Sequence, residues 1–240
     1  MNYATIEEAC EFVTDGAHFS PPDQGEGFPF LTVKDVSDEG LDFSNCSRIS
    51  ASEFARAKKA SSVPVRGDVL FSKDGTVGKV HVVETDQEFA VLSSLAILKP
   101  NPSVLDSKFL GHVLKSPEVV RDAIGRKTGS AIRRIVLVDL KRVKIPLPPL
   151  NEQLRIAAIL DKADEVRAKR KAALETLETL SQAIFIEMFG DPVTNPIGWE
   201  KHSLGDLCDD SVIKLGRGNV ISKIDIRNNP GPYPIYSSAR

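Results

Sequence analysis

The chain is poor in the residues that build covalent or metal frameworks. Its 240 residues include three cysteines, Cys10, Cys46 and Cys208, far apart and without a CxxC pair. An odd, scattered set argues against a disulfide scaffold or a cysteine zinc site and leaves them as small core residues. Four histidines, His18, His81, His112 and His202, show no ligand spacing, so no metal is expected. No run of about 18 apolar residues occurs, and the start MNYATIEEAC has no basic stretch leading into an apolar one. The expectation is a cytoplasmic protein without a membrane partner or signal peptide. A GxxxxGK[ST] phosphate loop, an FxGxG or NPPY-type signature and an Asp…ExK arrangement are also missing. No catalytic residue and no cofactor are assigned.

What is present is ordinary globular composition, 41% apolar and 27% charged. The net charge of −2 hides an uneven distribution: residues 1–50 hold ten acidic and two basic residues, residues 101–150 four acidic and ten basic. Such polarity steers a polyanion to one face, although a solvated mixed surface has the same composition.

Local signals place most elements. Thr5 and Glu8 form a capping box that predicts a helix over 6–14, ended by Asp15-Gly16. The stretch TDGAHFSPPDQGEGFPF that begins at Thr14 is too rich in Gly, Pro and Asp for regular structure, and His18 within it reads as a hydrogen-bonding loop residue. Strands are expected at 28–33 and 41–45, and Ser50 with Glu53 opens a helix to Lys59 with Arg56, Lys58 and Lys59 exposed. Further strands follow at 69–73, at 78–84 after the Asp74-Gly75 turn, and as one long buried strand at 88–100. Helices return with Ser107 and Ser116 as caps, Pro117 at the first helical position, and a short turn near 139–142 before the edge strand VKIPL. Asp68 and Asp74 flank the FSK strand like a metal pair, but each sits at a Gly-bearing turn where an acid is expected anyway.

Two stretches carry more than local structure. The segment GRKTGSAIRR (125–134) combines four cations, Arg126, Lys127, Arg133 and Arg134, with the hydroxyls of Thr128 and Ser130 and accessible Gly amides. Cations for counterion release and N–H or O–H donors for register are what a phosphate backbone requires, though a flexible solvated loop has the same look. The second is a run from Asn151, its expected cap, to Met188 with no Gly or Pro. At 1.5 Å per residue it spans roughly 57 Å. Ile156, Ile159, Ala163, Val166, Ala173, Leu177, Leu180 and Ile184 follow alternating steps of three and four along it, broken by Arg170 and Glu187. A heptad stripe of this kind suits a partner helix better than a broad core. The Gly216-Arg217-Gly218 element near the C-terminus is weak evidence for a phosphate site without a flanking strand and helix.

Together, Asp15-Gly16-Ala17-His18 with Pro21-Pro22, GDVLFSKDGTVGKV (67–80), the join IPLPPLNEQLRIAAILD (145–161) and IFIEMFGDPVTNPIGWEKHSLGDL (184–207) resemble the specificity subunit of type I restriction-modification systems. The resemblance covers essentially the whole chain. It implies an α+β fold: a β-rich target-recognition domain at 1–147, a spacer helix of coiled-coil type at 148–190, and the incomplete beginning of a second recognition domain at 191–240. It also implies a non-catalytic reader of double-stranded DNA that directs methyltransferase and restriction subunits, while the heptad stripe itself predicts self-association or engagement of a partner helix. On that reading the basic segment positions phosphates, and the turn from Lys73 to Lys79 faces DNA, with Lys73, Asp74 and Thr76 reaching base edges and Lys79 also contacting the duplex. Two other readings remain open: the N-terminal part of a self-contained modification enzyme or nuclease, and a helix-mediated assembly protein.

Overall fold

In a computed structural model, which describes residues 2–37, 40–125, 135–210, 212–214, 216 and 228, the chain divides into two compact units, Met1–Ala172 and Ala173–Arg240. The first opens with β1 (Tyr3–Thr5), α1 (Ile6–Ala9) and β2 (Cys10–Asp15). The capping box forms as expected: Thr5 Oγ1 accepts from the Glu8 amide, and the Glu8 carboxylate accepts from the Thr5 amide. The helix nevertheless stops after one turn instead of reaching residue 14. Val13 is buried, and the Cys10–Asp15 backbone satisfies its hydrogen bonds in a sheet. Non-local pairing thus overrides a sound local start signal.

The following elements are β3 (Phe28–Leu31), a 3₁₀ turn (Val33–Asp35), β4 (Val36–Ser37), β5 (Gly40–Leu41), β6 (Ser47–Ile49) and α2 (Ala51–Lys59). Of the strand expected over 41–45 only Leu41 lies in one, at the end of β5, and the next strand begins at Ser47. An Asx turn interrupts the expected run, with the Asp42 carboxylate accepting from the Ser44 amide and the Asn45 side chain. After α2 come β7 (Val69–Ser72), β8 (Val80–Val82), β9 (Ala90–Val91) and β10 (Leu95–Pro100). The long strand expected over 88–100 is broken by a turn at 92–94, and its halves join different sheets: β9 pairs parallel to β3, whereas β10 pairs antiparallel to β2 and β7. Both halves are apolar and buried, so hydropathy alone carries no mark of the break.

The principal sheet has the order β2-β10-β7-β8, and a second has the order β6-β3-β9. Alternate residues of the central strands serve opposite faces of the principal sheet. Val69, Phe71, Ala96 and Leu98 pack with Ile6, Phe109, Leu110 and Leu114, while Leu70, Leu95 and Ile97 pack with Leu31, Phe89 and Val91. Between α2 and the second sheet lies a smaller cluster of Phe30, Ile49, Phe54 and Ala90.

Three helices complete this unit before the long one: α3 (Ser107–Lys115), α4 (Pro117–Gly125) and α5 (Leu137–Lys141). Asp106, not Ser107, caps α3, its carboxylate accepting from the Phe109 amide. Strand β11 (Lys144–Pro146) pairs antiparallel to β1, tying the start of the chain to the residues just before α6 (Leu150–Phe189). Asn151, expected as the cap of α6, lies inside its first turn, where the Pro149 carbonyl accepts from the Glu152 and Gln153 amides. Cys10 and Cys46 are buried as expected, and burial pushes the Cys10 thiol up to about 12, keeping it protonated.

The second unit contains the later turns of α6 and α7 (Leu204–Asp209). Gly190 ends the long helix with φ +76°, its amide donating to the Ile186 carbonyl. Asn195, also in the left-handed region, clasps Trp199 through both side-chain polar atoms, and Trp199 Nε1 donates to the Phe189 carbonyl at 2.7 Å. The Phe-Gly-Asp-Pro…Trp run is therefore a folded turn closed by its own side chains.

Candidate nucleic-acid interface

One end of the principal sheet collects segments that are far apart in the chain. Antiparallel pairing places Asp15 at the end of β2 opposite Ala96 at the start of β10, and Ser72 at the end of β7 opposite Leu95. The loop after β2, the turn before β10 and the β7–β8 hairpin tip therefore share that end. Ile135 reaches it too, its amide donating to the Lys73 carbonyl at 2.7 Å.

Ser72 shapes the hairpin tip. Its hydroxyl donates to the Thr76 carbonyl and accepts from the Lys79 amide, at 2.6 and 2.7 Å. Gly75 and Gly78 take positive φ values there. Thr76 is exposed and Asp74 half-buried. The two lysines of the tip behave differently. Lys79, expected to face DNA, instead turns inward, because the Val33 and Val36 carbonyls accept from its ammonium and hold it against the 3₁₀ turn.

Lys73, expected at base edges, is only 2% exposed. Its ammonium lies 3.2 Å from Asp15 Oδ1, and its amide donates to the Ser94 carbonyl. An ammonium in that position braces loops and has no path to a base, which corrects the expected role. Asp15 Oδ1 and Ser94 Oγ are buried without a hydrogen-bond partner among the described residues, so the Asp15–Lys73 contact is an ion pair without hydrogen-bond alignment.

The loop after β2 is sewn into the same end. Gly16 and Ala17 donate to the Leu95 and Val91 carbonyls, and the Ser93 amide donates back to Ala17. A Cβ on Gly16 would lie 2.3 Å from the Leu92 carbonyl oxygen, so the Asp-Gly pair is a close-approach requirement. Phe19 lies under the Arg56 guanidinium, 3.9 Å from the ring centroid. Between these anchors His18 is exposed, with Nε2 3.4 Å from Asp15 Oδ2.

Arg126, Lys127, Thr128, Ser130, Arg133 and Arg134 lie outside the described residues. Among the described residues there is no group of three or more His, Cys, Asp or Glu side chains able to hold a metal, and no helix is long and apolar enough to cross a membrane. Asp68, the other acid of the sequence-level pair, is buried and accepts from the Val65 amide and from Lys99.

A second construction seats α6. Gln153 is fully buried: its amide nitrogen donates to the Val104 and Pro148 carbonyls, and its carbonyl accepts from the Asp106 amide. Ala157 is buried in the main core, and Ile156, one of the expected seam residues, is half-buried against it. His112 and Lys108 of α3 hold Asp161 at 2.7 and 3.1 Å. Burial raises the Asp161 carboxyl, but the hydrogen bonds from His112 and Lys108 outweigh it and leave it below the usual range. The other seam residues are exposed: Ile159, Ala163 and Val166 in the first unit, and Ala173, Leu177, Leu180 and Ile184 in the second. Sequence reasoning missed Gln153 and the Asp15–Lys73 pair. The Pro-Pro-Leu-Asn-Glu-Gln run marked the neighbourhood of the first; nothing local signals a pairing across 58 positions.

A family model, the type I restriction modification DNA specificity domain, matches residues 2–178. The chain belongs to this family. Among curated relatives it is 25% identical over 219 residues to the putative type I restriction enzyme MjaX specificity subunit of Methanocaldococcus jannaschii, covering 88% of this chain and 51% of that one. With the EcoBI specificity subunit of Escherichia coli it shares 26% identity over 173 residues, 70% of this chain and 36% of the relative. The chain thus spans about half or less of the length of these family members. The HsdS subunit structure from Thermoanaerobacter tengcongensis matches with a TM-score of 0.52 and 29% identity, over 79% of this chain and 44% of that one. A structure from work on assembly and conformational transition of the type I R-M system matches with a TM-score of 0.55 and 31% identity, covering 76% and 44%. The α+β architecture with its long helix is that of the specificity-subunit family.

Proposed function

We propose that this chain is a sequence-specific DNA-binding component of a type I restriction-modification complex, acting in the cytoplasm and directing methyltransferase and restriction subunits to their site without catalysing either reaction itself. Residues 1–147 serve as a target-recognition domain, 148–190 as a spacer helix, and 191–240 as the beginning of a second recognition domain. The observation that carries this is the gathering of the 73–79 hairpin tip, the 15–19 loop and Ile135 at one end of the principal sheet. Asp74 and Thr76 are the hairpin side chains available for base edges, with Lys73 and Lys79 acting behind them. Arg126, Lys127, Thr128, Ser130, Arg133 and Arg134 supply phosphate contacts. The exposed residues of the α6 stripe engage a partner helix, in a second copy or in another subunit.

Coexpression with the neighbouring methyltransferase subunits, followed by methylome sequencing, tests the whole reading; a defined methylated motif is expected. Replacing Arg133 and Arg134 with Ala should weaken binding to all duplexes and flatten its salt dependence by about two contacts. An unchanged slope would take that segment out of the interface. S-adenosylmethionine binding or Mg²⁺-dependent cutting by the purified chain alone would support an autonomous enzyme instead. Absence of DNA affinity even with methyltransferase subunits present would support an assembly protein.

A further inference from the structure

The His18 imidazole is 69% exposed, yet its backbone and its neighbours are not free to move. On one side the loop is stitched to the 91–95 segment through Gly16, Ala17 and Ser93, and on the other Phe19 is held under Arg56. Nε2 faces Asp15, a carboxylate with 15% side-chain exposure, and Asp15 in turn faces the ammonium of Lys73 at 2% exposure. Lys73 is the first residue of the hairpin tip that presents Asp74 and Thr76. The buried pair therefore connects an exposed ring to the base of the neighbouring turn.

A buried ion pair is an inefficient source of stability, because desolvation offsets most of the attraction, and fixing positions is its better-attested use. Phosphate contacts tolerate mobile cations, whereas reading a base edge requires a side chain held within about half an ångström. The Asp15 carboxylate, 3.4 Å from Nε2, is a charge contact without a hydrogen bond; it favours the neutral tautomer with its proton on Nε2, which leaves Nδ1 as an acceptor. The major-groove partners of an acceptor are the exocyclic amino groups of cytosine and adenine.

We propose that His18 is a base-contacting residue of the DNA interface, accepting from a cytosine or adenine amino group, and that Asp15, braced by Lys73, is its positioning residue. This rests on the reading of the sheet end as the DNA-facing surface. The test uses the chain assembled with its methyltransferase subunits and two duplexes, one carrying the methylated motif and one with that motif permuted, with Kd measured across a salt series. His18→Ala, at an exposed position that leaves the fold intact, should weaken binding to the motif duplex about tenfold or more and change binding to the permuted duplex less than about twofold.

Asp15→Asn should reproduce the loss on the motif duplex, and the double variant should be no weaker than His18→Ala alone, a non-additivity that a purely structural Asp15 would not produce. Wild-type affinity in His18→Ala, or an equal loss on both duplexes, would overturn the base contact; fully additive losses would overturn the positioning role. If Thr76→Ala weakens motif binding while His18→Ala does not, the interface stands and this inference falls. If the wild-type assembly fails to distinguish the duplexes, the interface reading itself is overturned.

Discussion

The first turns of α6 and its later turns are one helix under two regimes. Over residues 153–161 the helix is seated by a buried amide with three hydrogen bonds, by Ala157 in the core, and by the His112–Asp161–Lys108 contacts. From Val166 onward its apolar residues stand in solvent: Val166, Leu177, Leu180 and Ile184 are 45–57% exposed. The early turns draw stability from tertiary contacts, as most protein helices do, whereas the stripe residues from Val166 to Ile184 stay exposed. Similar apolar spacing thus yields a covered start and an uncovered stripe, and the uncovered stripe is the proposed surface for association.

The largest effect expected along this contrast comes from the buried amide. Gln153→Leu strands the Val104 and Pro148 carbonyls and the Asp106 amide, and should cost about 2–4 kcal/mol. The identical change at exposed Gln182 should cost less than about 0.5 kcal/mol. Urea midpoints of the two variants measure the difference, and equal midpoints would erase the contrast.

Next in size is the stripe itself. Leu177→Asp with Leu180→Asp should weaken helix-mediated association at least about tenfold, read by sedimentation, without lowering the stability of the first unit. Association that survives both changes would remove these turns from the interface.

A smaller effect follows from Asp161. Its folded-state carboxyl is lowered, so its contribution to stability is present above the unfolded carboxylate value and fades as pH falls through the lowered one. With more than a third of the side chain exposed, the contribution is about 1 kcal/mol or less. Asp161→Asn should flatten the acid limb of the stability curve over that range. The smallest effect is expected from Lys162→Ala. Its exposed pair with Glu165 should leave the urea midpoint unchanged.

Several features were legible in the sequence because their causes are local. The Thr5–Glu8 box, the 51–59 helix, the Asp74-Gly75 turn and the heptad stripe are all written within a few residues of themselves. The family was legible through short joins such as Pro-Pro-Leu-Asn-Glu-Gln. What only the tertiary structure decided is where backbone and charge found distant partners. Residues 10–15 became a strand because β10 satisfies their backbone, not because their own preferences changed. The 88–100 run split between two sheets while staying buried throughout.

Lys73 looked like a surface cation and became a buried brace, because the residue that neutralises it, Asp15, lies on another strand. Gln153 likewise became the anchor of α6 only where Val104, Asp106 and Pro148 converge on it. Hydropathy and spacing record what a residue prefers. Burial beside a partner distant in the sequence decides which of those preferences the fold can use.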